Sequence, residues 1–245
     1  MLVVPFLYGL MLGSFLNVCI HRLPKGNSIV SPPSTCPQCK NRLLLRDLIP
    51  VISFLILGGR CRFCQASISL RYPLIELLTG VLFALTAYKL GYSLVTIQAL
   101  ILVSALIVVA FVDMDHYIIP GNVLIFLLIA WLVFLPFLPV DYLNSLAGLS
   151  TAGGLLLLIA LVSRGGMGMG DIKLAAVLGL YLGWPNALLA MFIACLLAGT
   201  CGMFLILFKI KSRKDIIPFA PFIALASFIT LLWGDRILSW YIGLL

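Results

Sequence analysis

Ile101-Leu102-Val103-Ser104-Ala105-Leu106-Ile107-Val108-Val109-Ala110-Phe111-Val112 is apolar but for one serine, and Asp113 ends it. The run is too long for a strand of a membrane barrel and reads as part of a transmembrane helix. The whole chain has the same character: 63% of its 245 residues are hydrophobic and 10% are charged. A soluble domain carries about 25% charged residues, so this composition excludes one. The expected fold is all-α, a polytopic transmembrane bundle of about eight spans. The spans fall near residues 2–20, 73–90, 94–112, 121–139, 144–163, 173–184, 186–208 and 217–233. The sixth is short and glycine-broken, in the manner of a half-helix, and the tail 237–245 is too short to cross alone. Residues 1–18 lack a basic leader and read as the first span rather than a cleavable signal.

The net charge of +8 follows from topology. Of the 16 basic residues, fourteen fall on one side: Arg22, Lys25, Lys40, Arg42, Arg46, Arg60, Arg62, Arg71, Arg164, Lys173, Lys209, Lys211, Arg213 and Lys214. Lys89 and Arg236 fall on the other. By the positive-inside rule the first loop is cytoplasmic and the N-terminus lies outside. No nucleic-acid partner is needed to explain the charge; the bilayer is the expected partner. The organisation is then a first span (1–20), a cytoplasmic cysteine loop (21–72) and a transmembrane bundle (73–245). Trp184, Trp233 and Trp240 fall near expected span ends, as interface-belt residues do.

Four of the seven cysteines lie in that loop as Cys36-Pro37-Gln38-Cys39 and Cys61-Arg62-Phe63-Cys64. Two C-x-x-C knuckles suit a tetrahedral thiolate site for structural zinc. Redox pairs are the alternative, disfavoured by a reducing cytosol. Four protein ligands close the metal's shell, so the ion would fold the loop rather than do chemistry. Cys19, Cys195 and Cys201, in apolar runs, read as buried small hydrophobes.

Only eight acidic residues occur in the chain, and Asp113 and Asp171 are the informative two. The first lies in Val112-Asp113-Met114-Asp115-His116. The second follows a glycine-studded turn, Gly165-Gly166-Met167-Gly168-Met169-Gly170. Topological parity puts both at the cytoplasmic edge of the membrane. Two neighbouring carboxylates share one proton, so one can activate water while the other polarises a carbonyl. Gly168 and Gly170 would let a substrate backbone approach, through their small size and dihedral freedom. The alternative for Asp171 is a plain helix cap. Asp115 lies two residues beyond Asp113, on a different helix face, and reads with His116 as a solvated neighbour. Glu76, in the expected first turn of the second span, reads either as a match to the helix dipole or as a group recognising a basic leader. Asp115 could serve the latter role too.

These residues carry a resemblance to a family. Gly13-Ser14-Phe15-Leu16-Asn17-Val18 with Arg22-Leu23-Pro24, the cysteine loop, Ile49-Pro50 with Ser53, and Gly59-Arg60-Cys61-Arg62 resemble motifs of the type IV prepilin leader peptidases. So do Arg71-Tyr72-Pro73 through Glu76, and Ile217-Pro218-Phe219 with Pro221-Phe222. These are membrane aspartic proteases with a GxGD-type motif. The resemblance implies Asp113 and Asp171 as the catalytic pair. It also implies prepilins or pseudopilins as substrates, cut after a glycine on the cytoplasmic side of the bacterial inner membrane. Many members methylate the new N-terminus with S-adenosylmethionine, and the retained cysteines keep that second activity open. Two departures stand out. Pro120-Gly121 replaces the family's Pro-Asp, with Asn122 as a substitute cap, and Ala220 stands where glycine is common. Short length and this variation resemble the competence-pilin branch of Gram-positive bacteria. The competing readings are a proton- or cation-coupled transporter with a zinc-folded loop, and a zinc-loop scaffold of a secretion machine. Transporters place such carboxylates nearer the midplane.

Overall fold

A computed structural model of the chain describes residues 2–163, 166–210, 212 and 215–244. Arg164, Gly165, Lys211, Arg213 and Lys214, used above in the charge count and the glycine turn, lie outside the described residues. The chain forms two compact units, Met1–Thr96 and Ile97–Leu245. Among the described residues the regular structure is helical, with two isolated β-bridges in the cysteine loop.

In the first unit, helices α1 (Val3–Arg22) and α3 (Arg71–Leu90) pack against one another, and the loop between them carries the short α2 (Ile52–Ile56). Small residues set how closely the long pair approach. A Cβ at Gly9 would lie 2.7 Å from the Gly80 Cα, and one at Gly13 would lie 2.7 Å from the Glu76 Cα. Such close backbone approach is how helices associate where no hydrophobic effect separates helix from lipid. The Asn17 amide pins the register by donating to the Tyr72 carbonyl at 3.1 Å.

The second unit holds α4 (Leu94–His116, which begins just before the boundary), α5 (Gly121–Phe134), α6 (Tyr142–Val162), α7 (Met169–Leu182), α8 (Asn186–Leu207) and α9 (Ala220–Ile242). Helix α7 is enclosed by its neighbours, with Leu174, Ala175 and Leu178 fully buried. It crosses α6 where Gly148 and Gly179 bring the two backbones together; a Cβ on either would overlap the other's backbone. It meets α5 through two side chains: Trp131 Nε1 donates to the Leu180 carbonyl at 3.1 Å, and the Tyr181 hydroxyl donates to the Leu127 carbonyl at 2.7 Å. At its far end the Trp184 N–H donates to Asn144 Oδ1 at 2.8 Å, which sets the end of α7 level with the start of α6.

Each expected span coincides with a helix. Among the described residues six (α1, α3, α4, α6, α8 and α9) are long and apolar enough to cross a membrane, and Gly121–Phe137 is a shorter apolar one. The protein is a multi-pass membrane protein. Helix α7 has only 14 residues, and its burial among other helices is what lets so short an element lie at membrane depth. Three expectations change. The tail is not separate, since α9 runs unbroken to Ile242, so Trp233 lies inside the helix rather than at its end. Asn122 does not cap α5, whose N-cap is Pro120 with no side-chain bond. Cys195 is exposed rather than buried, although Cys19 is buried as expected.

Candidate active site and metal centre

Helix α4 stays regular through Asp113 and Asp115 and stops at Tyr117, whose φ of 55° turns the chain. The two aspartates therefore face differently: Asp113 is 6% exposed, while Asp115 and His116 are exposed. The Asp113 carboxylate accepts a hydrogen bond from the backbone N–H of Ala220 at 3.0 Å. Ala220 is the first residue of α9, and a helix's opening N–H groups have no partner within the helix. The donor is thus free for a carboxylate that sits at the positive end of the helix dipole.

Asp171 is the third residue of α7, whose N-cap is Gly168, so it is not itself the cap. Its carboxylate takes the Gly168 N–H, and the Asp113 carboxylate is close enough to act on it, like charge on like. The fold therefore places the two carboxylates within electrostatic reach of one another. The glycines before Asp171 have a steric role. Gly168 has an ordinary extended conformation, φ −72° and ψ 141°, so dihedral freedom is not its use. A Cβ there would lie 3.3 Å from Asp171 Oδ2, and a Cβ on Gly170 would lie 3.2 Å from the Ile119 Cβ. At either position a Cβ would press its neighbour aside by a few tenths of an ångström, which crowds the first turn of α7.

Glu76 belongs to the first unit. Its helix begins at Arg71, with no acidic residue in the first turn, so the dipole reading does not hold. The side chain is 8% exposed. It accepts the Val51 N–H at 2.7 Å and a bond from the Ser14 hydroxyl.

The four loop cysteines converge, with their sulfurs within 4.8 Å of one another. The Cys36 and Cys64 sulfurs are 3.8 Å apart. Zinc–sulfur bonds of about 2.3 Å in a tetrahedron separate sulfurs by about 3.8 Å, so the group can hold a metal ion of that kind. The two knuckles are the same turn built twice, a likeness of backbone that goes beyond the shared C-x-x-C spacing. Cys36 N–H bonds the Asn41 carbonyl and Lys40 N–H the Cys36 carbonyl; Cys61 N–H bonds the Ala66 carbonyl and Gln65 N–H the Cys61 carbonyl. Lys40 and Gln65 share a positive φ, 60° and 58°. Bridges Thr35–Arg42 and Arg60–Ser67 close the two turns. Backbone N–H groups of Cys39 and Gln38 hold the Cys36 thiol down to about 6, toward the thiolate a metal binds. Asp47 ties the knuckles to the rest of the loop through Arg62, with Nη2 2.7 Å from Asp47 Oδ1.

Comparison with known proteins agrees with this architecture. Residues 7–90 match the Bacterial Peptidase A24 N-terminal domain, and residues 100–203 match the Type IV leader peptidase family. A prepilin leader peptidase/N-methyltransferase of Bacillus subtilis is 40% identical, the match covering 99% of this chain and 98% of that protein. Proteins of the same name from Aeromonas salmonicida and Pseudomonas aeruginosa are 36% and 33% identical, over 97% and 96% of this chain and 92% and 91% of theirs. No solved structure gives a significant match. Near-complete coverage at this identity, on a helical bundle with two converging aspartates and a four-sulfur loop, means that the chain belongs to the type IV leader peptidase family.

Proposed function

We propose that Asp113 and Asp171 are the catalytic dyad of a membrane endopeptidase that removes the basic leader of prepilins or pseudopilins. The observation that carries this reading is the pairing itself: a buried Asp113 carboxylate, held by the Ala220 N–H, whose charge acts on Asp171. The pair shares one proton and titrates as a unit. The ionised carboxylate takes a proton from water as the water oxygen bonds to the scissile carbonyl carbon. The protonated carboxyl donates to the carbonyl oxygen. Collapse of the tetrahedral intermediate breaks the C–N bond as one carboxyl gives its proton to the leaving amine and the other carboxylate takes the proton of a diol hydroxyl, which restores the single shared proton. Membership of a peptidase family favours this over ion-coupled transport. The basic-residue asymmetry supports a bacterial inner-membrane location with the dyad opening to the cytoplasm.

The cysteine loop, residues 21–72, is proposed as a zinc-folded domain, with Cys36, Cys39, Cys61 and Cys64 closing the shell. The second activity in the relatives' names, N-methylation, would use S-adenosylmethionine. Among the described residues no strand leads into a glycine-rich turn, so any site for that cofactor differs from the dinucleotide-type cradle. Gly168, Gly170, Glu76 and Asp115 remain proposed substrate-side residues. Of these, Gly168 has the most direct support, lying against the Asp171 carboxylate.

Asp113→Asn and Asp171→Asn should each abolish cleavage of a co-expressed prepilin at undiminished protein level, and Asp115→Asn should not. Cleavage by either dyad variant at the parent rate overturns the assignment. Mass spectrometry of the mature pilin N-terminus reads the cut after glycine and the methyl group together.

A further inference from the structure

Residues 49–57, with α2 at their centre, form an apolar segment that the dyad chemistry does not use. We infer that this segment is a membrane-contacting element, seated in the cytoplasmic-leaflet interface with its basic neighbours on anionic phospholipid headgroups.

Depth is the first argument. The Val51 N–H is held by Glu76, five residues into α3 from Arg71, which is about 7.5 Å along the helix. Gly13 of α1 abuts Glu76 at the same level. It lies nine residues, or about 13.5 Å, before the end of α1 at Arg22. The chain therefore returns from the cytoplasm to a level inside both spans before it turns back toward the second cysteine knuckle. An interfacial element beds about 5–10 Å into the headgroup and acyl boundary.

Side-chain placement is the second. Leu45, Ile52, Leu55 and Ile56 are 88%, 55%, 70% and 76% exposed. Phe54 turns the other way and packs over Gly59, where a Cβ would lie 2.9 Å from its ring. The outward face is thus uniformly apolar at bilayer depth. Arg42, Arg46 and Arg60 are exposed on the flanking segments, the charge that suits acidic headgroups.

Backbone satisfaction is the third. The N–H groups of Ser53, Leu55 and Leu57 bond the carbonyls of Ile49, Val51 and Ser53 at 3.1, 3.0 and 3.0 Å. Val51 has a φ of 59°, a costly conformation for a β-branched residue. It is held by the Glu76 bond, which satisfies its N–H. A segment that hides its amides and shows its hydrocarbon is built for a dry surface.

The test places a photo-reactive benzoylphenylalanine at Leu55 or Ile56 of the full chain. The protein is reconstituted without substrate in nanodiscs of phosphatidylglycerol and phosphatidylethanolamine, and lipid adducts are weighed by intact mass. Val81, 53% exposed on α3, and Val30, 86% exposed in the loop, are the positive and negative controls. Adducts at 55 and 56 should approach those at 81 and exceed those at 30 by about tenfold. Yields no higher than at 30 overturn the inference. Arg46→Glu/Arg60→Glu should lower the yield in phosphatidylglycerol discs but not in phosphatidylcholine discs; equal yields in both overturn the headgroup part. A peptide carrying an apolar helix, if it takes the crosslink and abolishes lipid adducts, marks the surface as a peptide groove instead. Proteolysis is not read out, so failure here leaves the peptidase reading intact, and the converse holds.

Discussion

Asp113 and Ala220 lie 107 residues apart and meet through one hydrogen bond. That bond positions the carboxylate as well as stabilising its charge, because a backbone donor at the start of a helix has no freedom to follow a side chain that drifts. Replacing Ala220 by its α-hydroxy acid analogue, which swaps the N–H for an ester oxygen, removes the donor and leaves the side chain unchanged. Hydrogen bonds to charged groups contribute about 1.5–3 kcal/mol, so cleavage should slow by about one to two orders of magnitude with protein level unaltered. An ester variant as active as the parent would show that Asp113 does not depend on this donor. The departure at this position is benign by the same reasoning: alanine and glycine offer the same N–H.

At the scale of elements, two contacts decide how well the sites are held. Helix α7 carries Asp171 and is pressed against α6 at Gly148 and Gly179. Gly179→Ala puts a methyl group into backbone, which cannot give way as a side chain would. Overpacking of this kind costs about 1–3 kcal/mol, so thermal aggregation in detergent should begin several degrees lower, with activity falling in step. Gly154→Ala, where a Cβ meets nothing within 4 Å, should be silent in the same assay. In the cysteine loop, the Arg62 guanidinium holds the Asp47 carboxyl below the usual carboxylate range. A carboxyl lowered on folding stabilises the fold fully above its unfolded pKa of about 3.9 and loses that effect as pH falls through the lowered value. Asp47→Asn should therefore open the loop at neutral pH, read as faster metal loss to a chelator. The gap between variant and parent should close toward acid.

For the whole molecule, the proposed orientation starts the first of eight spans outside and returns the chain to the outside. Alkaline phosphatase fused after Gly243 should be active and a fusion after Lys209 inactive; the reverse result would invert the assigned orientation. Local signals made much of this legible. Apolar runs mark spans because each side chain meets lipid or protein on its own account. The separation of Asp113 from Asp115 needed only helix geometry. What stayed hidden depends on parts of the chain meeting: the Ala220 donor, Glu76 reaching Val51 and the Gly148–Gly179 crossing. Ala220 left one trace, since an N–H at the head of a helix beside Pro221 is a donor in search of an acceptor. The steric use of Gly168 left none, because glycine reads alike whether it is needed for shape or for space.

The level ends of α6 and α7 have a further consequence. From the end they share, α6 runs back 21 residues and α7 only 14. At about 1.5 Å per residue, α7 stops about 10 Å short of its neighbour. Asp171, the third residue of α7, therefore lies at the bottom of a step between the two helices. With the proposed dyad there, a hydrolase has to solve a supply problem for its smallest reactant: bulk solvent must be led down into the step. A peptide entering from a membrane helix must surrender its end turn to descend. A thicker bilayer raises the headgroups relative to the foot of the step, so turnover should fall as acyl chains lengthen.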